Sequence, residues 1–138
     1  MTNLRQVIAV GFDGSVPSEL AASWAFDYAA RNDADVVLVH AVGILEHMAH
    51  EALAEQFSGA VHDLATGAGF DESRLRWNVD NGDACSVLLR AIDVPITATL
   101  LVVGSRGQGA HAGHLLGSTS LQLAERSTVP LVIVPAAS

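Results

Sequence analysis

Four stretches of the chain are almost unbroken hydrocarbon: Val7–Phe12 (VIAVGF), Val36–Val42 (VVLVHAV), Leu100–Gly104 (LLVVG) and Pro130–Val134 (PLVIV). Short runs of this kind, rich in β-branched residues, suit strands buried on both faces of a parallel sheet. Leu75–Val79 (LRWNV) differs, because polar and apolar residues alternate along it. That pattern suits an edge strand with one side partly open. Between these segments the apolar spacing turns helical. Ser15 can cap a helix with Leu20, Ala21, Trp24 and Tyr28 on one face. A longer helix from about Ile44 carries Leu45, Met48, Ala52, Ala60, Val61 and Leu64, and Gly67 or Gly69 can end it. Asp83 caps a third, with Ala84, Val87, Leu88, Ala91 and Ile92 inward, and Ser118 caps a fourth bearing Leu121 and Ala124. The alternation βαβαβαβαβ predicts a three-layer α/β fold with right-handed crossovers. A last strand as apolar as PLVIVP must be central or covered by another copy, since a bare edge of that kind aggregates.

Composition narrows the chemistry. The 138 residues are half apolar and only 16% charged, which argues for one folded domain and against disorder. A net charge of −8 leaves no basic stripe for a nucleic-acid backbone. All seven cationic residues are arginines, so Schiff-base, Walker-type and other lysine chemistry is excluded. Cys85 is the single cysteine, set among Val87, Leu88 and Leu89, and reads as a small buried residue. The apolar start is too short for a signal peptide, Asp13 interrupts it, and no segment reaches membrane-spanning length. A cytoplasmic location is the expectation.

In an open parallel sheet, ligands bind at the carboxyl ends of strands where the winding reverses. Two strand ends carry suitable residues: Gly11-Phe12-Asp13-Gly14-Ser15, and the loop GSRGQGAHAGHLLGST from Gly104 to Thr119. Small residues let backbone N–H groups approach an anion, and a helix start adds partial positive charge. A Walker loop fails for want of lysine. A dinucleotide fingerprint at Gly107–Ala112 fails because the next helix waits until Ser118 and only one strand follows. A receiver domain would suit Asp13 but also needs a lysine.

The spacing Gly104-x2-Gly107-x9-Gly117-Ser118 resembles the ATP-binding signature of the universal stress protein family. The likeness runs along the whole chain: VIAVGFDGSVPSELAASWA, VVLVHAV, Gly82-Asp83, LLVVGSRG and VPLVIVP each resemble the corresponding family segment. Thr99 departs from a common aspartate, and His111 and His114 from common apolar residues. The resemblance implies a single universal stress protein domain over residues 1–138. It also implies an open, twisted, five-stranded parallel sheet of order 3-2-1-4-5 with about four helices. That is a Rossmann-like arrangement of the adenine nucleotide alpha hydrolase type. Asp13, Gly14 and Ser15 would meet the adenosine, and Ala41 and Val42 would line the adenine pocket. Gly104, Ser105, Arg106 and Gly107 would hold the ribose and first phosphates. Gly117, Ser118 and Thr119 would bind the phosphate chain, with Mg2+ bridging it. A homodimer through Pro130–Val134 is implied as well.

The histidine pairs His47/His50 and His111/His114 have i,i+3 spacing but lack a third metal ligand. Bound phosphates would favour the charged forms of His111 and His114. His40 reads as a hydrogen-bonded packing residue at a strand end, and His62 carries no functional signal. The leading function is a nucleotide-dependent regulatory or stress-response module that binds ATP or another adenine nucleotide. The alternative is a slow ATPase or phosphotransferase, although no general base stands beside a terminal phosphate. A flavin-type electron carrier is the third class that this sheet can host.

Overall fold

The structure, a computed structural model, describes residues 5–43, 50–105 and 117–136. Its elements in chain order are β1 (Val7–Gly11), α1 (Val16–Asn32), β2 (Asp35–Val42), α2 (His50–Ala68) and β3 (Leu75–Asn81). They continue with α3 (Ala84–Arg90), β4 (Leu100–Gly104), α4 (Ser118–Arg126) and β5 (Leu131–Val134). All strand pairs are parallel, in the order β3-β2-β1-β4-β5 expected from the sequence. Among the described residues, no helix is long and apolar enough to cross a membrane.

Alternation along the strands divides the core in two. Ile8, Val10, Val36 and Leu38 face α1 and α2, where Ala21, Ala25, Phe26, Val61 and Ala65 meet them. Val7, Ala9, Val37 and Val39 face α3 and α4, against Cys85, Val87, Leu88 and Leu123. This two-sided burial is why the strands read as continuous hydrocarbon.

The helix faces differ from the sequence expectation at several positions. In α1 the buried line is Ala21, Ala22, Ala25, Phe26 and Ala29, whereas Leu20, Trp24 and Tyr28 are only half-buried. A helix lying flat on a sheet approaches closely where its side chains are small, so the bulky residues move to its flanks. There Trp24 and Tyr28 stack with centroids 5.2 Å apart. In α2 Ala60 is exposed while Val61 and Ala65 are buried, and Leu45 and Met48 lie outside the described residues. The helix ends at Ala68, before Gly69 at φ +72°. In α3 Cys85, not Ala84, faces inward.

Polar groups fasten the strand starts. The Thr99 N–H donates to Val7 O at 2.8 Å, and its Oγ1 accepts from Val7 N–H at 3.0 Å. Arg74 reaches from the start of β3 to Asp35 Oδ1 at 2.8 Å and to the Asp33 carbonyl at 2.9 Å. β3 and β5 are the two sheet edges, so the apolar last strand is not central. All four residues of β5 are half-buried.

The rotated face of α1 makes a prediction. Ala25→Leu forces a branched side chain against the sheet and should cost about 1–3 kcal/mol. Trp24→Leu, on the flank, should cost about 1 kcal/mol or less, as volume-adapting swaps do. Urea denaturation of both variants measures the difference.

Candidate functional site

The carboxyl end of the sheet opens between β1 and β4, because the chain passes from β1 to β2 on one side and reaches β4 on the other only after β3. β1 makes its last rung when Phe12 N–H donates to Val39 O at 2.9 Å. The chain then turns sharply. Asp13 accepts from Ser15 N–H at 2.9 Å, and the Ser15 hydroxyl caps α1 by accepting from Ser18 N–H at 3.3 Å. Gly14 makes the turn possible at φ +82°, and a Cβ there would lie 2.7 Å from Phe57 Cζ. Phe57 belongs to α2, so the second helix closes over the turn. Phe12 meets Phe57 and Trp77 edge-on, with centroids 5.5 and 5.9 Å away, forming an aromatic floor.

The Asp13 carboxyl is exposed on one side. Partial burial works to raise its pKa, but the Ser15 donors, Ser18 and the nearby His40 prevail and hold it below the usual 3.8. It therefore stands as a carboxylate acceptor at the rim.

At the end of β2, residues of odd number direct their backbone groups toward β1, as the Phe12–Val39 bond shows. Ala41 is the next such residue, and β1 has already turned away. Among the described residues its N–H and C=O have no backbone partner. Phe12 O, the acceptor a continued ladder would offer, instead receives His40 Nδ1 at 2.8 Å. Val42 O accepts from Gly82 N–H on the other side.

The β4 end approaches α1. A Cβ on Gly104 would fall 2.7 Å from Pro17 O and 2.9 Å from Pro17 Cβ, so only glycine fits. Ser105 is buried and engaged in the scaffold: its N–H donates to Val134 O at 2.9 Å and its carbonyl accepts from Gly117 N–H at 2.7 Å. Its hydroxyl accepts from Ala136 N–H at 3.2 Å. Gly117, not Ser118, is the cap residue of α4, and no side chain caps that terminus. Ser118 stands at the first helical position instead, because Gly117 O already accepts from Leu121 N–H at 3.2 Å. Ser120 donates to Gly104 O at 3.1 Å, tying α4 to β4. Ser118 and Thr119 open α4, and a helix start carries unsatisfied N–H groups that concentrate positive potential. Arg106, Gly107, His111, His114 and His47 lie outside the described residues. Among the described residues no three His, Cys, Asp or Glu side chains converge as a metal site.

The structure thus gathers Asp13, Gly14, Ser15, Ala41, Val42, Gly104, Ser105, Gly117, Ser118 and Thr119 at one end of the sheet. Sequence reasoning missed Phe57, Pro17 and Ser120. Only the helical spacing of Phe57 from Val61 and Leu64 signalled the first, and nothing signalled the contact at Gly104.

Two expected outcomes follow from this geometry. Gly104→Ala should destabilise the fold by about 1–3 kcal/mol, because the clash is with backbone; thermal and urea melts read it. For Asp13 the folded-state pKa is depressed, so its contribution is complete above 3.8 and disappears as pH falls through the lower folded value. The stability advantage of wild type over Asp13→Asn should therefore be constant from pH 5 to 7 and shrink below about pH 4.

The fold has counterparts among known proteins. The profile of the Universal stress protein family matches residues 5–135. A universal stress protein of Mycolicibacterium smegmatis is 32% identical over 137 residues, spanning 94% of this chain and 46% of that protein. Universal stress protein Rv2623 of Mycobacterium tuberculosis is 34% identical over 139 residues, spanning 91% and 44% respectively. The chain thus spans about half the length of these relatives. A universal stress protein solved in complex with cAMP superposes with a TM-score of 0.75 at 27% identity, covering 96% of this chain and 98% of that one. Universal stress protein UspA of Lactobacillus plantarum shares the fold, with a TM-score of 0.71 at 18% identity over 96% and 99%. With the family profile covering the sheet from β1 to β5 and these relatives aligned across it, the chain belongs to the universal stress protein family.

Proposed function

We propose that this chain binds an adenine nucleotide, ATP foremost, at the carboxyl ends of β1, β2 and β4, and acts as a nucleotide-dependent regulatory or stress-response module. The observation that carries the reading is the Ala41 backbone, which has no backbone partner among the described residues at the point where the sheet opens. An N–H donor beside a C=O acceptor complements adenine, whose N1 accepts and whose N6 amino group donates. Val42 continues this wall. Asp13, an ionised acceptor beside the Gly14–Ser15 turn, suits a ribose hydroxyl. The N–H groups and hydroxyls of Ser118 and Thr119 suit phosphates, with Gly104 and Ser105 fixing their position and Arg106 and Gly107 continuing the loop. Gly117 contributes through its carbonyl cap rather than its N–H, which Ser105 holds. The relative crystallised with cAMP supports an adenine ligand in this fold.

Phosphate charge in a protein of net charge −8 calls for compensation, and Mg2+ carried by the phosphates themselves supplies it. A binding role is favoured over a slow ATPase or phosphotransferase. Among the described residues gathered at the site, the carboxylate is Asp13 at the end of β1, whereas the proposed phosphate donors stand at the start of α4. Lysine is absent from the whole chain. Two copies pairing through Pro130–Val134 would cover the half-buried edge strand β5. A cytoplasmic location is part of this reading, and fractionation of the producing cells tests it.

Titration calorimetry with MgATP tests the reading. Wild type should bind, and Asp13→Ala should bind about tenfold more weakly, the worth of one charge-assisted hydrogen bond. No heat of binding, and no nucleotide released from the denatured purified protein in mass spectrometry, would sink it. Turnover above about 1 per second would favour the enzyme instead. Light scattering at micromolar concentration should give twice the chain mass if β5 is the contact.

A further inference from the structure

His40 stands opposite Phe12 in the sheet, one residue beyond the last paired position Gly11↔Val39. Its parity with Leu38 places it on the α1/α2 face, where its ring lies 6.2 Å from that of Phe57. Nδ1 is 2.8 Å from Phe12 O. A carbonyl can only accept, so Nδ1 carries the proton. In a regular parallel ladder the same carbonyl would accept from Ala41 N–H, because Phe12 N–H already donates to Val39 O. That second bond is not formed. The imidazole engages the carbonyl that the next rung would use, and does so from the α1/α2 face rather than from within the ladder.

From this competition we infer that His40 is a positioning residue that determines base specificity: by holding Phe12 O, it keeps the Ala41 N–H and C=O open to read an adenine edge. The role rests on the adenine reading above, but the mechanism is a property of the free protein. With the imidazole removed, Phe12 O turns to Ala41 N–H and β1 gains one more rung. The donor for adenine N1 is then lost while the phosphate-binding groups of α4 are untouched. Protonation of Nε2 leaves the Nδ1 bond intact, so the peg holds in both charge states. Among the described residues, Asp13 on the turn is the charged group beside His40; Asp80, next to its register partner Val79 on β3, lies on the opposite sheet face, where it pairs with Arg90 of α3.

Three variants and three probes separate this from a packing role. His40→Phe keeps the ring and deletes the donor; His40→Asn keeps a donor near the Nδ1 position; His40→Leu guards against a misfit of the larger ring. MgATP is compared with MgITP, whose base exchanges donor for acceptor at both edge positions, and with tripolyphosphate alone. His40→Phe or His40→Leu should lose about tenfold in ATP affinity, the worth of one hydrogen bond. ITP and tripolyphosphate should bind unchanged, and His40→Asn should restore most of the ATP preference. Independently of any nucleotide, amide exchange at Ala41 should slow at least about tenfold in His40→Phe as its N–H becomes bonded. The 15N shifts of wild-type His40 should report Nδ1–H. Unchanged Ala41 exchange, an Nε2–H tautomer, or equal losses for ATP and tripolyphosphate would each overturn the inference. Wild type that fails to distinguish ATP from ITP would overturn the adenine reading instead, with the exchange result still deciding the role of His40.

Discussion

The hydrogen bond from Phe12 N–H to Val39 O is the last one joining the centre of the sheet to its left half. Up to that point β1 is locked to β2 on one side and to β4 on the other. Past it, the chain must leave the sheet plane to begin α1, while β2 runs on through Val42 with β3 beside it. The outcome is a step in the sheet edge, one strand ending early between neighbours that continue. Among the described residues, the Ala41 backbone groups on the inner wall of that step have no backbone partner, and a half-buried amide in that state needs water or a ligand. Asp13, Gly14, Phe57 and His40 all serve to keep the step open: the aspartate and glycine turn the chain, the phenylalanine covers the turn, and the histidine claims the stray carbonyl.

The electrostatics follow from the same geometry. In an acidic chain without lysine, neutral dipoles can carry much of an anion site, and α4 presents a helix start with no side-chain cap. A serine cap would consume one of those N–H groups. Gly117 at the cap position leaves them available and binds its own N–H to Ser105 O, so the helix start is anchored from behind. Asp13 sits apart from that terminus, and hydrogen bonds from its own turn keep it charged. Separating a carboxylate from an uncapped helix start would suit a ligand with a sugar at one end and phosphates at the other.

Much of this was legible in the residues. Continuous apolar runs gave four strands and alternation gave the edge strand, because burial on two faces or one writes itself directly into period and composition. Asp83 and Ser15 cap their helices as the sequence indicates. The inward face of α1 was misjudged because large apolar residues dominate a periodicity argument, whereas close helix–sheet contact selects Ala22, Ala25 and Ala29. Ser118 was assigned the cap one position late for a similar reason: glycine caps without a side-chain signature. The free edge of Ala41 could not be read from the sequence at all. It depends on where one strand ends relative to another, a matter of register that no single segment encodes.

Ser105 shows why the glycine spacing of the loop serves structure as much as ligand. Its N–H, carbonyl and hydroxyl reach β5 at Val134, α4 at Gly117 and the residue after β5 at Ala136. A buried residue holding three segments fixes where α4 begins, and Ser120 on Gly104 O fixes the same helix a second time. Gly104 must be small because Pro17 presses on it from α1, which also carries the Asp13–Ser15 turn. The two halves of the site are therefore in van der Waals contact through Gly104 and Pro17. A side chain at position 104 would push α1 and its turn away from the start of α4, changing the span between the carboxylate and the helix N–H groups. Glycine there sets the span between the two halves, the span that a ligand reaching from the Asp13 turn to the start of α4 would have to match.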